Sequence, residues 1–291
     1  MTATVAALVP RDVVRTTGAD ATTFLQGQIS QDVEAVEPGD SAWSLVLAPQ
    51  GKVDAWFRLT RLGQNEFLVD LDAGFAEALV ARLERFKLRV DATFEILEGW
   101  QMLSIRGSSG SSDGLDAFRA ELRAAVAWPG FEGVDLLGPE VSLPAGAEAS
   151  AAAMEAARIR AGWPAMGREL TERTIPAEIA GLVESSVSFT KGCYTGQELV
   201  ARIDSRGGNV PRPVRLLEIR GDGVSPGAGI TVDGKAVGEI TSAAADPDAP
   251  VTVALGPVHR RVEPPASAEV DGIPATVLAT PASSKLRGPA D

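Results

Sequence analysis

Residues Lys191 to Arg202 read KGCYTGQELVAR and hold the only cysteine of the chain, Cys193. Gly192 and Gly196 lie on either side of the cysteine, and glycine permits backbone angles and close approaches that other residues forbid. A cation or a helix N-terminus favours the thiolate, which is the reactive form of cysteine. The stretch therefore predicts a turn that leads into a helix, with Lys191 activating Cys193. The alternative is a small buried hydrophobe on a turn.

Cysteine and histidine counts limit what Cys193 can do. A nucleophile of the Cys-His type needs a base, and the one histidine, His259, lies far along the chain. A single cysteine cannot form an internal disulfide or hold an iron-sulfur cluster alone, since clusters ordinarily take four thiolates. A redox thiol and a cluster ligand shared with a partner stay open. We expect no stably bound metal.

Composition predicts a globular protein of two or three domains, with 291 residues of which 45% are apolar. The net charge of −12 opposes binding to nucleic acid and to anionic membranes. With no long apolar run and no leader-like start, we expect a cytoplasmic protein. The segment Arg158–Arg220 is locally basic, so its electrostatic potential favours an anionic small molecule more than that of the rest of the chain. Surface pairs such as Glu198 with Arg202 are the alternative.

Hydrophobic periodicity and turn residues predict an α+β layer in the first part of the chain. The predicted strands are 12–16, 41–48, 52–60, 66–71, 92–97 and 101–105, and the predicted helices are 21–28, 72–86, 113–125 and 150–160. Asp20 and Asp72 are the expected N-caps. Phe75, Leu79, Leu83 and Phe86 are expected on the buried face of the second helix.

The sequence pattern changes after Pro211, where short apolar stretches alternate with the turn pairs Asp233-Gly234 and Asp271-Gly272. Asp-Gly between apolar strands is a strong signal for a tight hairpin. This region predicts a small β-barrel over 212–280, followed by a flexible tail at 281–291.

Three stretches carry a resemblance to a known family. They are VSFTKGCYTGQELVAR (Val187–Arg202), FLQGQISQDV (Phe24–Val33) and RIRAGWPAMGRELTERTIPAE (Arg158–Glu178). Together they resemble the YgfZ/GcvT-like folate-binding family, which is related to the T protein of glycine cleavage and to a mitochondrial iron-sulfur assembly factor. The resemblance implies a three-domain ring of T-protein type. A discontinuous folate-binding domain (1–48 and 141–208) would enclose an inserted α+β domain (49–140), and the β-barrel would close the ring.

The resemblance also implies a tetrahydrofolate ligand in a central channel, with Cys193 at its mouth. A pterin needs apolar walls, and a glutamyl tail needs cations. The wall candidates are Trp43, Trp56, Phe57 and Trp163, and the candidate cations are Arg160, Lys191, Arg202 and Arg206. The loop itself is expected to contribute Gly192, Tyr194, Gly196, Gln197 and Glu198.

Two positions depart from the T-protein pattern. Where T proteins carry an acidic pair after a Gly-rich turn, this chain keeps Asp54 and has Ala55. Where T proteins carry a glutamate that binds the donor edge of the pterin, this chain has Arg160, which offers only hydrogen-bond donors. Either the pterin is held differently, or Glu178 or Glu169 supplies the acceptor, or the affinity for folate is weak.

The resemblance implies a folate-binding accessory protein for iron-sulfur cluster assembly or repair, with Cys193 as the functional thiol. Its partners would be folate and iron-sulfur enzymes or their assembly proteins. A tetrahydrofolate-dependent aminomethyltransferase is the alternative, and a non-enzymatic module with a buried cysteine is the third.

Overall fold

The computed structural model describes residues 4–107, 119–143, 149–205 and 209–281. Within them the chain forms three antiparallel sheets, five α-helices and a short 3-10 helix at Pro176–Glu178. The strands are β1 Val5–Val9, β2 Arg11–Thr17, β3 Ser41–Leu47, β4 Val53–Gly63, β5 Glu66–Asp72, β6 Thr93–Ile96, β7 Gln101–Gly107, β8 Leu122–Trp128, β9 Phe131–Gly138, β10 Val214–Ile219, β11 Gly229–Val232, β12 Lys235–Glu239, β13 Ser242–Ala245, β14 Thr252–Pro257, β15 Ala266–Val270 and β16 Ile273–Leu278. The helices are α1 Ala21–Gln28, α2 Ala76–Phe86, α3 Ala151–Arg160, α4 Leu182–Ser186 and α5 Gln197–Asp204.

A five-stranded sheet in the order β3-β4-β5-β2-β6 forms the first layer. Apolar side chains of α1 and α2, such as Leu25 and Leu79, pack with those of the sheet in one core. This confirms the predicted α+β arrangement. The sheet also spans the predicted boundary after residue 48, because β3 pairs with β4 along its length. The division into domains stays a prediction.

The second sheet has four strands in the order β1-β7-β9-β8. The predicted helix at 113–125 is wrong where the structure describes it, from residue 119 onward, because strand β8 lies there from Leu122. This strand pairs with β9, with Leu122 opposite Leu137 and Trp128 opposite Phe131. Its alanine content favours a helix, but Pro129-Gly130 forms the hairpin turn and Gly130 has φ +81°. The rest of that predicted helix, 113–118, lies outside the described residues.

The third sheet has seven strands in the order β12-β11-β15-β16-β10-β14-β13 and forms the C-terminal unit. An extra bridge between Gly238 and Val258 curls it toward a half-barrel. Both predicted Asp-Gly hairpins are confirmed: Asp233 and Asp271 have φ of +51° and +48°, as the tight turn requires. The predicted tail lies outside the described residues beyond Pro281.

Helix capping differs from the sequence expectation. The carboxylate of Asp12, on β2, accepts from the amides of residues 74, 75 and 76 at 2.8–2.9 Å and so caps α2 from a different strand. Asp72 instead binds Arg11 and the amide of Met166. Asp20 is the N-cap residue of α1 as predicted, but its carboxylate accepts from the amide of residue 91 and not from an amide of the helix. Phe86 is 44% exposed, so its predicted burial is also wrong.

The segment from α3 to α5 joins the three sheets. Its apolar residues, including Ile159 and Leu182, share one core with Leu45 of β3, Val126 of β8 and Leu255 of β14. This core places the middle segment where all three sheets meet. No helix in the described part of the chain is long and apolar enough to cross a membrane.

Candidate functional site

Buried residues hold the loop that carries Cys193 on both sides of the sulfur. The ammonium of Lys191 donates to the backbone carbonyls of Ile29 at 2.8 Å and Gln31 at 2.7 Å. Tyr194 is buried, and its ring centroid lies 5.3 Å from that ammonium. Cys193 itself is exposed. The alternative in which this cysteine is buried packing is therefore wrong.

Burial changes the ionisation of both anchors. It lowers the pKa of Lys191 to about 8, with the carboxylates of Asp32 and Glu34 acting in the opposite direction. It raises the pKa of Tyr194 to about 12. The bonds of Lys191 to two carbonyls fix the loop in place. Its action on the sulfur of Cys193 stays a prediction.

Gly196 ends the loop in a backbone conformation that only glycine adopts easily. It has φ +83° and precedes the first residue of α5, Gln197. A Cβ atom there would lie 2.7 Å from the carbonyl oxygen of Ala48 and 2.7 Å from Cβ of Leu47. The turn between β3 and β4 thus packs directly against the start of α5, and Gly51 in that turn similarly meets Leu199.

Gly196→Ala is expected to lower the free energy of unfolding by about 3 kcal/mol, from left-handed backbone strain plus a clash with backbone. Gly192→Ala is the matched control, because that residue is exposed and a Cβ there would meet nothing within 4 Å. Urea denaturation of both variants measures the difference. Equal effects would contradict the close approach at Gly196.

A cavity of about 490 Å³ lies where the first two sheets meet the middle segment. Its aromatic wall includes Trp43, Trp128 and Trp163. Trp163 lies at the centre of this wall, with ring centroids 5.2 Å from Trp43 and 5.8 Å from Trp128. Trp56 stacks on Trp43 on the side away from the cavity, with ring centroids 4.3 Å apart. Pockets of this size and apolar character hold small molecules.

Charged side chains also line the cavity: Arg11, Arg106, Arg158, Arg168, Asp72, Asp135 and Glu155. Behind them the buried Arg58 joins Asp70 of the first sheet, at 2.8 Å, to Asp135 of the second, at 2.9 Å. Burial opposes ionisation of Asp135, but Arg106 and Arg58 lower its pKa to about 2. The cavity wall therefore rests on a fixed ionic network that bridges two sheets.

The structure places the predicted wall residues in two regions. Trp43 and Trp163 line the cavity, and Trp56 supports Trp43 while its Nε1 donates to Ser186 Oγ at 3.0 Å. Phe57 belongs to the core of the five-stranded sheet and does not line the cavity. Successive residues of a strand point to opposite faces, so neighbours such as Trp56 and Phe57 cannot share a wall.

The predicted polar residues lie outside this cavity, each with another partner. Asp54 is exposed, with a carboxylate oxygen 3.4 Å from Nε of Arg82. Arg160 faces the C-terminal unit and pairs with Glu218 and Asp246. Glu178 accepts from the amide of the 3-10 helix N-cap, residue 175, and burial raises its pKa. The buried Glu169 accepts from Arg158, Thr241, Ser242 and the amide of residue 165.

Cys193 does not lie at the mouth of this cavity, since no residue of the stretch 191–202 lines it, and its place relative to a bound folate stays a prediction. The loop packs at the turn end of the β3–β4 hairpin, whereas Trp43 lies five residues back along β3, roughly 16 Å away at the usual rise of a strand. Arg202 pairs with Glu198 at 2.5 Å on the surface, as the alternative predicted. Arg206 lies outside the described residues.

Sequence reasoning missed Arg11, Arg106, Trp128 and Arg168 as cavity residues. A signal was present for part of the network, because Arg58, Asp70 and Asp135 interrupt apolar strands and charged residues are rarely buried unless paired. No group of three or more His, Cys, Asp or Glu side chains able to hold a metal occurs in the described ranges.

Comparisons with known proteins agree on one family. The chain is 27% identical over 221 residues to the tRNA-modifying protein YgfZ of Edwardsiella ictaluri, covering 67% of this chain and 65% of that one. It is 30% identical over 227 residues to an iron-sulfur cluster assembly factor IBA57 homolog, mitochondrial, of Coccidioides immitis, covering 69% and 53%. The chain is similar to proteins of the YgfZ/GcvT-like family. It spans about half the length of the IBA57 homologs that it matches.

The fold of this chain is that of a T protein. The crystal structure of the glycine cleavage system aminomethyltransferase T from Bartonella henselae superposes with a TM-score of 0.80 at 21% identity, covering 96% of this chain and 86% of that one. The T-protein type of fold is thereby confirmed. No family model matches the chain.

Proposed function

We propose that this protein binds tetrahydrofolate in the tryptophan-lined cavity and serves iron-sulfur cluster assembly or repair through the exposed thiol of Cys193. The observation that carries the proposal is the cavity of about 490 Å³, which three tryptophans line within a T-protein fold. The names of its relatives, an iron-sulfur cluster assembly factor and a tRNA-modifying protein, support the cellular role.

The chemistry of the cavity wall fits a reduced folate. Trp43, Trp128 and Trp163 offer apolar faces for a flat ring. Among the described residues, Asp72 accepts one hydrogen bond at each carboxylate oxygen, so lone pairs stay available for the donor edge of a pterin. Nε1 of Trp128 is a buried donor with no hydrogen-bond partner among the described residues. When bound, tetrahydrofolate would supply a carrier for one-carbon groups at its N5 and N10 nitrogens.

The thiol acts at a different surface from the folate. The chain has one cysteine, so a cluster or iron ion held by Cys193 needs further ligands from another chain. Exposure of the sulfur between the buried anchors Lys191 and Tyr194 makes such sharing sterically feasible. Iron-sulfur enzymes or their assembly proteins are the proposed partners, and the cytoplasm is the proposed location.

Aminomethyl transfer is the weaker candidate. The fold alone favours it, and a carboxylate beside the folate would have to assist the attacking amine. Asp54, the acid retained from the T-protein pair, is exposed, pairs with Arg82 and does not line the cavity. Ala55 occupies the second acidic position.

Calorimetric titration of tetrahydrofolate under anaerobic conditions tests the cavity. Wild-type protein is expected to bind saturably, and Trp43→Leu to bind about tenfold more weakly, because an aromatic stacking contact on a flat ring is lost. Trp100→Leu is the matched control, since Trp100 is also half-buried but lies outside the cavity. Equal affinities in the two variants would contradict binding at this wall.

A further inference from the structure

Arg168 differs from the other arginines of the cavity because it combines unused hydrogen-bond donors with exposure to solvent. Arg158 donates from all three of its nitrogens, to Glu155, Glu169, Ser242 and the carbonyl of residue 163. Arg11 and Arg106 are at most 7% exposed and bind Asp70, Asp72 and Asp135 or backbone carbonyls. Nε of Arg106 has no hydrogen-bond partner among the described residues, but it is buried.

The side chain of Arg168 is 49% exposed and donates one hydrogen bond in the described part of the chain, from Nη1 to Glu155. A guanidinium has five N–H donors, so several stay available. Glu155 is also held by Arg158 at 2.8 Å, and its carboxylate therefore stays paired if Arg168 turns to a ligand.

Backbone contacts hold Arg168 at the rim of the cavity. Gly167 has φ +76°, and its amide bonds to the carbonyl of Leu170, which closes a tight loop. The amide of Met166 donates to Asp72 at 2.8 Å, which ties this loop to the opposite wall. The position of the arginine is thus set by its loop, while the guanidinium itself stays reachable from solvent.

We infer that Arg168 binds the carboxylate end of the folate and so sets its orientation, with the glutamyl end at the rim and the ring against the tryptophans. The inference rests on the proposed folate function. Guanidinium and carboxylate form a charge-assisted, often bidentate pair, and Arg168 supplies the donors without breaking the buried network. Arg160 and Arg202, which the sequence offered for this role, do not line the cavity.

Two ligands, tetrahydrofolate and the carboxamide of tetrahydropteroate, test this assignment by calorimetry on the full chain, because the carboxamide keeps the ring system but carries no carboxylate. Wild-type protein is expected to bind tetrahydrofolate about tenfold more tightly than the carboxamide, as a charged hydrogen bond predicts. Arg168→Gln should lose that tenfold preference and leave binding of the carboxamide unchanged. Arg173→Gln is the matched control, because Arg173 is exposed five residues away and does not line the cavity.

The outcomes separate this inference from the proposed function. If wild-type protein binds both ligands equally, or if Arg168→Gln weakens both by the same factor, Arg168 does not read the carboxylate, and folate binding itself still stands. If wild-type protein binds neither ligand, the folate proposal fails and this inference fails with it.

Discussion

Cells in which Cys193→Ser replaces the wild-type chain are expected to lose as much activity of four-iron enzymes as a deletion strain does. Serine removes the soft sulfur ligand and nucleophile while keeping a small polar side chain at an exposed position. Because surface changes of this kind usually alter stability by less than about 0.5 kcal/mol, the folded protein should persist at normal levels. Enzyme activities in extracts, normalised to the amount of this protein, measure the effect.

Thr190→Ala is the control for Cys193→Ser, since Thr190 is exposed on the same loop and carries no thiol. It should leave the four-iron enzymes at wild-type activity. Normal four-iron enzyme activity in a deletion strain would contradict the accessory role itself. Normal activity in Cys193→Ser cells, together with a loss in the deletion strain, would contradict only the role of the thiol.

Arg58→Met is expected to lower the free energy of unfolding by about 3–5 kcal/mol, the usual cost of removing one partner from a buried ion pair. Arg58 is 2% exposed and its guanidinium joins Asp70 to Asp135 across two sheets. Methionine fills similar space but leaves the two buried carboxylates, of Asp70 and Asp135, with one cation fewer. Urea denaturation measures the change.

Arg15→Met provides the comparison for Arg58→Met. Arg15 pairs with Glu66 at 2.5 Å on the surface of the same sheet, with side chains 46% and 35% exposed. A surface pair of this kind contributes less than about 1 kcal/mol. A similar loss in both variants would show that burial of the network adds nothing to stability.

The sequence predicted those parts of the fold that depend on near neighbours along the chain. The Asp-Gly turns at residues 233 and 271 form as expected because their backbone angles suit these residue types. The amphipathic segment that follows Gly196 is helix α5. The family motif then pointed to the correct T-protein fold.

The parts that the sequence could not predict depend on residues distant along the chain. Asp12 caps α2 from another strand and displaces Asp72, which no local capping rule could show. The segment at β8 pairs with β9 despite its helix-forming alanines, because pairing across a sheet outweighs local propensity. The same limit applies to the cavity, whose arginines come from β2, β7, α3 and the loop after it.

The most direct measurement is the affinity of tetrahydrofolate for wild-type protein, Cys193→Ser and Trp43→Leu, determined by anaerobic calorimetry under identical conditions. If folate occupies the tryptophan-lined cavity and the thiol lies apart from it, Cys193→Ser should bind like wild type and Trp43→Leu about tenfold more weakly. Absence of saturable binding to wild-type protein, or loss of binding in Cys193→Ser alone, would contradict this arrangement.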